Sequence, residues 1–182
     1  MTRLCIALVL GLCTSAVMAG NWPSWRGPND NGVAEKGEFP TTWDESENVA
    51  WKIQLPGRGA STPIVWNGKV VLTYGEDDKN VVICLNPAGK ILWKTTVGSE
   101  RKGKHRKASG SNPSAVTDGK HIFVYFKSGD LACLSFDGRQ LWTTNLQSRF
   151  GEDTLWWDLG TSPLLSKDNV IVACIQTGPS YL

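Results

Sequence analysis

The sequence predicts an all-β fold built from repeated four-stranded antiparallel sheets. The segment from Leu85 to Trp93 returns as the segment from Leu134 to Trp142. In both copies an apolar run ends, a glycine-containing turn follows, and alternating residues lead into tryptophan, which is the pattern of a β-hairpin. Three prolines share a spacing of 50 residues: Pro63, Pro113 and Pro163. An internal period of this size indicates supersecondary units that stack on one another.

Residues 1–19 have the features of a secretory signal peptide. Arg3 precedes an apolar run from Leu4 to Leu12, and small residues precede Gly20. The run is too short to span a bilayer of about 30 Å. We therefore expect cleavage near Gly20, an exported chain that is periplasmic or extracellular, and no transmembrane helix in the mature chain. Lipid attachment at Cys13 is the alternative, although Leu12 stands where a small residue is expected.

Composition narrows the function classes. The chain carries a formal net charge of +2 with 20% charged residues, as an ordinary globular protein does. Beyond the predicted signal peptide three cysteines remain, without a C-x-x-C pair, which argues against a disulfide framework, a zinc site or haem attachment. The three are Cys84, Cys133 and Cys174; because Cys84 and Cys133 occupy the same place in successive repeats between apolar neighbours, we expect these two to be buried as small hydrophobic side chains.

The units follow one another in order along the chain. Residues 20–58 form an irregular Trp- and Pro-rich lead-in that ends in a predicted closing strand at 48–55. Strands and turns then recur in three blades, at 59–98, 109–147 and, in part, 160–182. Asn67-Gly68 and Asp118-Gly119 are typical of tight hairpins.

A single sheet of this kind cannot bury both of its apolar faces. Such sheets stack radially, and a closed ring needs at least four of them. The sequence supplies about two and a half blades, so it predicts an incomplete β-propeller that needs further blades of the same polypeptide. The closing strand would complete the last blade and remove a free sheet edge.

The repeats resemble the PQQ-like (pyrroloquinoline quinone-type) β-propeller family, and the opening Trp22 to Pro28 resembles its secreted planctomycete-type members. The characteristic positions of the repeat are Gly89, Lys90 and Trp93, which Gly138, Arg139 and Trp142 match less strictly. The resemblance implies that the tryptophans dock between neighbouring blades, so Gly89, Trp93, Gly138 and Trp142 would have a structural role.

The resemblance also implies two classes of function. Some members are quinone-dependent dehydrogenases that hold pyrroloquinoline quinone and calcium beside a catalytic Asp and a pair of adjacent cysteines. Others bind proteins and carry no cofactor. The adjacent cysteines are absent here, and no calcium or base residues can be matched. We therefore expect a non-catalytic binding or scaffold module without cofactor; the alternative is a quinone-dependent dehydrogenase whose site lies mainly in further blades. An adhesion-type β-sandwich fits the repeat less well.

Two loops are candidate binding sites. The basic loop, residues 101–107, would attract an anionic surface; its charged members are Arg101, Lys102, Lys104, Arg106 and Lys107. It lacks the interleaved aromatic residues that stack on bases, so no nucleic-acid partner is expected. The alternative is a solvated connection between two blades.

The tryptophan loop, residues 151–160, sets two adjacent tryptophans between acidic residues. Glu152, Trp156, Trp157 and Asp158 would line a pocket for a carbohydrate or a quinone. For the chain as a whole we expect a protein or carbohydrate partner. Because neighbouring side chains of an extended segment point in opposite directions, we expect at least one tryptophan to pack in the core. His105 and His121 are the only histidines, and no catalytic or metal-binding set can be assembled around them.

Overall fold

The computed structural model describes residues 20–35, 37–176 and 178–182; the predicted signal peptide lies outside them. Nearly all regular structure in these residues is β-strand. The first sheet contains β1 (Ile64–Trp66), β2 (Lys69–Glu76), β3 (Lys79–Leu85) and β4 (Ile91–Ser99). The second contains β5 (Val116–Thr117), β6 (His121–Tyr125), β7 (Asp130–Ser135) and β8 (Gln140–Asn145), followed by the short helix α1 (Leu146–Phe150). β9 (Leu164–Ser166) and β10 (Asn169–Ile171) begin a third sheet.

Strand pairing confirms the predicted fold class. Both four-stranded sheets follow chain order, and every pair of neighbouring strands is antiparallel. Cys84 lies opposite Trp93 in the first sheet, and Cys133 lies opposite Trp142 in the second. A register shift follows each cysteine. The sequence repeat is therefore also a repeat of strand register.

The hairpins form where local chemistry allows positive φ. Asn67 and Gly68 join β1 to β2 with φ of 47° and 73°. Asp77 and Asp78 join β2 to β3 with φ of 50° and 57°. Two-residue turns with positive φ at both central positions match the twist of the strands that they connect. Aspartate and asparagine tolerate this conformation better than most residues.

The main core lies between the two complete sheets. Apolar residues from both sheets are buried there, and Trp93 and Phe136 pack against them. The cluster contains Ile64, Val71, Val82, Cys84, Val97, Ala115, Ile122, Val124, Phe126, Ala132 and Leu134. Each sheet thus buries a face by stacking on the next, as predicted. Cys84 and Cys133 are free and buried, which confirms their predicted apolar role, and Cys174 is also free and buried.

The predicted closing strand at 48–55 was expected to complete a last blade, which the described residues do not include. Residues 48–55 form no strand pairing within the described part of the chain. Asn48 has a φ of 59°, which interrupts extended backbone at the first predicted position. Ile53 and Leu55 still pack against the outer face of the first sheet. The segment therefore lies on a sheet without joining one, and its role in ring closure stays a prediction.

The described residues contain no helix long and apolar enough to cross a membrane. α1 has five residues, and the side chain of its N-cap, Asn145, accepts a hydrogen bond from the Ser148 amide.

Candidate functional site

The two candidate loops lie on the same face of the molecule. Successive turns of an antiparallel sheet alternate between its two ends, so a connection that follows the fourth strand emerges beside the β2–β3 hairpin. The basic loop follows β4, and the tryptophan loop follows β8 and α1. We call their shared surface the connector face.

Asp158 fixes one loop to the other. Its carboxylate accepts hydrogen bonds from the backbone amides of Lys104 (2.7 Å) and His105 (2.9 Å). The Lys104 ammonium donates to the Leu155 carbonyl. Residues about 50 positions apart in sequence are thus bound together. The arrangement leaves both loops anchored at their centres.

A buried ion pair lies beneath this contact. Lys127 Nζ pairs with the Asp158 carboxylate, and the two side chains are only 1% and 7% exposed. The Lys127 ammonium also donates to the Lys102 carbonyl at 3.0 Å. Burial by itself would raise the pKa of Asp158, but the hydrogen bonds from Lys127 and the two backbone amides outweigh it and lower the pKa to about 2. We call the Lys127–Asp158 pair the latch.

The charged side chains of the basic loop divide into two groups. Arg101 pairs with Glu152 at 2.7 Å, and Lys102 pairs with Asp78 at 2.7 Å, which lowers the pKa of Asp78. The side chains of Arg106 and Lys107 are exposed and make no hydrogen bond or ion pair with residues that the structure describes. The loop therefore presents less free positive charge than its sequence suggests, and anion binding stays a prediction.

An open cleft of about 620 Å³ lies beside the basic loop. Its walls are the lead-in at 56–58, the β2–β3 hairpin and the connection at 100–109. Its lining includes Glu76, Asp77, Glu100, Arg58 and Arg106. A cleft of this size falls in the range of small-ligand sites, and its lining carries charges of both signs.

The two tryptophans of the other loop are both exposed. Trp156 is 74% and Trp157 is 69% exposed, and their rings meet edge to face with centroids 4.1 Å apart. The expectation that one of them packs in the core is wrong. The chain bends at both residues, so the alternation of an extended segment does not apply.

The four predicted members of this loop thus have different surroundings. Glu152 is 73% exposed at its side chain and is held by Arg101, whereas Asp158 is buried in the latch. Both oxygens of Asp158 already accept hydrogen bonds from the protein. Only the two tryptophans and Glu152 are open to a ligand, and a ligand role for the set stays a prediction.

The predicted docking residues lie at the opposite end of the sheets. Trp93 Nε1 donates to the Phe136 carbonyl at 3.1 Å, and a Cβ added to Gly138 would lie 2.7 Å from Cδ2 of Trp93. Gly138 has a φ of 87°, so both its conformation and its contact require glycine. Trp142 is 43% exposed.

The lead-in repeats this contact on the first sheet. Trp51 Nε1 donates to the Pro87 carbonyl at 2.8 Å, and a Cβ on Gly89 would lie 2.6 Å from Cδ2 of Trp51. In each case a tryptophan covers a glycine two residues after the carbonyl that it binds. Sequence reasoning predicted this role for the blades and did not extend it to Trp51.

Sequence reasoning also missed Lys127. It directly precedes the sequence Ser128-Gly129-Asp130, which is typical of a turn, and a lysine beside a turn is normally exposed. Its burial depends on the two connections that close over it, and no local signal reports them. Asp153, which is 2% exposed, was missed for the same reason.

Residues 20–35, 37–176 and 178–182 contain no group of three His, Cys, Asp or Glu side chains placed to hold a metal ion. This leaves the quinone and calcium of the alternative function untested.

Comparison with known proteins gives the family. The sequence model described as outer membrane protein assembly factor BamB matches residues 78–176, which is more than half of the chain. A search of solved structures finds BamB from Moraxella catarrhalis at 13% sequence identity and a TM-score of 0.48. That match covers 68% of this chain and 33% of the other, so the chain spans about a third of that structure. The search of curated proteins found no match. Because the family model covers more than half of its residues, the chain belongs to the BamB family of PQQ-like β-propeller repeat proteins.

Proposed function

We propose that this protein is an exported, non-catalytic propeller module that binds another protein through its connector face. The observation that carries the proposal is the pair Trp156 and Trp157, both largely exposed on a loop that the latch holds in place. A large apolar pair in water is costly for an isolated chain, and such patches commonly mark interaction sites.

The loop is arranged as a binding surface should be. Tryptophan is among the residues that contribute most to protein interfaces. Ordering a mobile loop on binding lowers affinity, and here Asp158 and the Arg101–Glu152 pair already restrain it. A partner that contacts the tryptophans therefore binds without a large entropy cost for ordering this loop.

A protein partner fits better than a carbohydrate. The two indole planes lie 70° apart, so they form a corner and offer no single flat platform for a sugar ring. Arg106 and Lys107 add a charged rim at the same face, as in protein interfaces with an apolar centre and a polar border. The family description, an outer membrane protein assembly factor, is also that of a protein that works with other proteins.

The test compares two sets of exposed tryptophans in the full-length exported protein. A photo-crosslinking amino acid at position 154 is used to identify the partner in the cell envelope, and the purified partner is then titrated. The Trp156→Ala, Trp157→Ala double variant should raise the Kd at least about 30-fold, since a hot-spot side chain contributes 2 kcal/mol or more. Trp43→Ala, which removes a lead-in tryptophan of equal exposure (69%), should leave the Kd unchanged.

Equal Kd values for both variants would place the binding surface elsewhere and overturn the proposal. The quinone-dependent alternative has its own measurement. Titration of the full-length protein with pyrroloquinoline quinone and calcium should give no stoichiometric binding and no dye-linked alcohol oxidation. Binding with turnover would replace the proposed function by a dehydrogenase.

A further inference from the structure

The seam between the second sheet and the start of the third contains three oxygens without a partner. Tyr125 Oη, Tyr181 Oη and Asp153 Oδ2 are shielded from solvent and make no hydrogen bond with any residue that the structure describes. The Tyr125 side chain is fully buried, and Asp153 is 98% buried. Buried polar atoms are nearly always paired, so three unpaired oxygens in one seam need an explanation.

Backbone and side-chain contacts bring the segments that carry Asp153 and Tyr181 together. Tyr181 and Cys174 exchange backbone hydrogen bonds of 3.0 and 2.9 Å. Cys174 Sγ lies 3.8 Å from Gln176 Oε1, and that oxygen accepts from the Thr154 amide at 3.1 Å. Asp153 is therefore held against the segment that carries Tyr181.

Tyr125 reaches the same place from β6. It shares an apolar cluster with Val172 and Leu155, which lie beside the segments of Tyr181 and Asp153. The Asp153 carboxylate is near enough for its charge to contribute to the raised pKa of Tyr125. The two tyrosine hydroxyls lie near enough for each to affect the pKa of the other.

The first seam shows how the fold satisfies this position. In the first sheet Thr73 lies opposite Val82, and Val82 is two residues before Cys84. In the second sheet Tyr125 lies opposite Leu131, which is likewise two residues before Cys133. Thr73 and Tyr125 therefore occupy equivalent positions. The Thr73 hydroxyl donates to the Pro113 carbonyl of the next sheet at 3.3 Å. At the equivalent position of the second seam Tyr125 stands in place of the threonine, and its hydroxyl makes no hydrogen bond of this kind.

The chemistry of the three oxygens selects the ligand. Burial keeps the tyrosines protonated, since it raises the pKa of Tyr125 to about 12 and also raises that of Tyr181. Asp153 supplies the one carboxyl group among the three residues, and its Oδ1 accepts a hydrogen bond from the Leu155 amide at 2.9 Å. A buried carboxylate without a counter-charge is costly, and hard cations prefer oxygen ligands.

We propose that Asp153, Tyr125 and Tyr181 form a site for a monovalent alkali cation, Na⁺ or K⁺, between the second and third sheets. One carboxylate and two neutral oxygens balance a single positive charge. Dedicated divalent sites commonly draw on more than one carboxylate. The cation would join the third sheet to the second beneath the tryptophan loop.

The test measures thermal unfolding of the full-length protein at constant ionic strength while NaCl or KCl replaces choline chloride, whose cation is too large for the seam. At a cation concentration 100-fold above its Kd, the Tm should rise by about 5–10 °C. The two salts distinguish Na⁺ from K⁺. Asp153→Asn should abolish the rise, whereas Glu152→Gln, which removes the neighbouring exposed carboxylate, should retain it.

A direct measurement covers the case in which Asp153→Asn does not fold. The wild-type protein should broaden the ²³Na NMR line in a saturable way, and competing K⁺ should reverse the broadening. Tyr181→Phe should weaken the broadening. An equal Tm in choline, sodium and potassium chloride would overturn the proposal and assign the seam to an ordered water. An unchanged cation response in Tyr125→Phe and Tyr181→Phe would also overturn it.

Discussion

Breaking the latch should destabilise the protein more than breaking any of its exposed ion pairs. Lys127→Met removes the buried ammonium and leaves the Asp158 carboxylate with only the amides of Lys104 and His105. Asp158→Asn removes the negative charge opposite the Lys127 ammonium, which keeps only neutral acceptors such as the Lys102 carbonyl. Each change creates a buried charge that has lost its counter-charge.

The magnitude follows from burial. With both side chains at least 93% buried, loss of either one should lower the free energy of unfolding by about 3–5 kcal/mol. The double variant should lose less than the sum of the two, with a coupling energy of about 1–3 kcal/mol, because the second substitution no longer breaks an intact pair. Lys102→Ala, which removes the exposed Lys102–Asp78 pair, should give no measurable loss.

The pH dependence provides a second measurement of the same pair. The pKa of Asp158 is lowered from 3.8 to about 2, so its stabilising effect is complete above the unfolded-state pKa and is lost as the pH falls through the folded-state value. Wild-type protein should therefore lose about 2 kcal/mol more than Asp158→Asn between pH 5 and pH 2.

Denaturant titration with global fitting yields the four free energies of the cycle. Hydrogen exchange gives a local measurement, since the amides of Lys104 and His105 should lose protection in Asp158→Leu while those of β3 keep it. Additive free energies in the cycle would refute the reasoning. So would parallel pH curves for wild-type protein and Asp158→Asn.

Two other changes test the packing of the sheets. Gly138→Ala should destabilise the wild-type protein by about 1–3 kcal/mol more than it destabilises a Trp93→Ala variant, because the added Cβ would overlap the Trp93 ring. Denaturant titration measures both losses. An equal loss of stability with and without Trp93 would contradict the contact. Burial raises the pKa of the Cys84 and Cys133 thiols to about 11, so neither should react with iodoacetamide at pH 8 until the protein is unfolded; alkylation of the native protein, followed by mass spectrometry, would show that the thiols are accessible.

The sheets were predictable because their signals are local. Asn67-Gly68 selects a tight turn by itself, and the Cys84–Trp93 and Cys133–Trp142 pairs return in the same register. The closing strand stays a prediction, because its pairing is not local. Strand formation depends on a neighbouring strand, and residues 48–55 have the apolar alternation without that neighbour in the described chain.

The connector face was not predictable from spacing. Its central contact joins Asp158 to the amides of Lys104 and His105, and no local pattern reports a contact across about 50 residues. The sequence did indicate both loops, since five basic residues and two adjacent tryptophans are unusual in interblade connections. It could not show that the Asp158 carboxylate is bonded within the protein or that both indole rings face solvent.

The two ends of the sheets carry different constraints. At one end Trp51 covers Gly89 and Trp93 covers Gly138 with the same carbonyl contact, so a change there disturbs the packing of two units at once. At the other end, one connection is basic and the next is aromatic, although both follow the fourth strand of equivalent sheets. Residues that repeat serve the stacking common to every unit, whereas residues that differ between units are free to serve a ligand. The connector face is therefore the end of the sheets at which the two units differ.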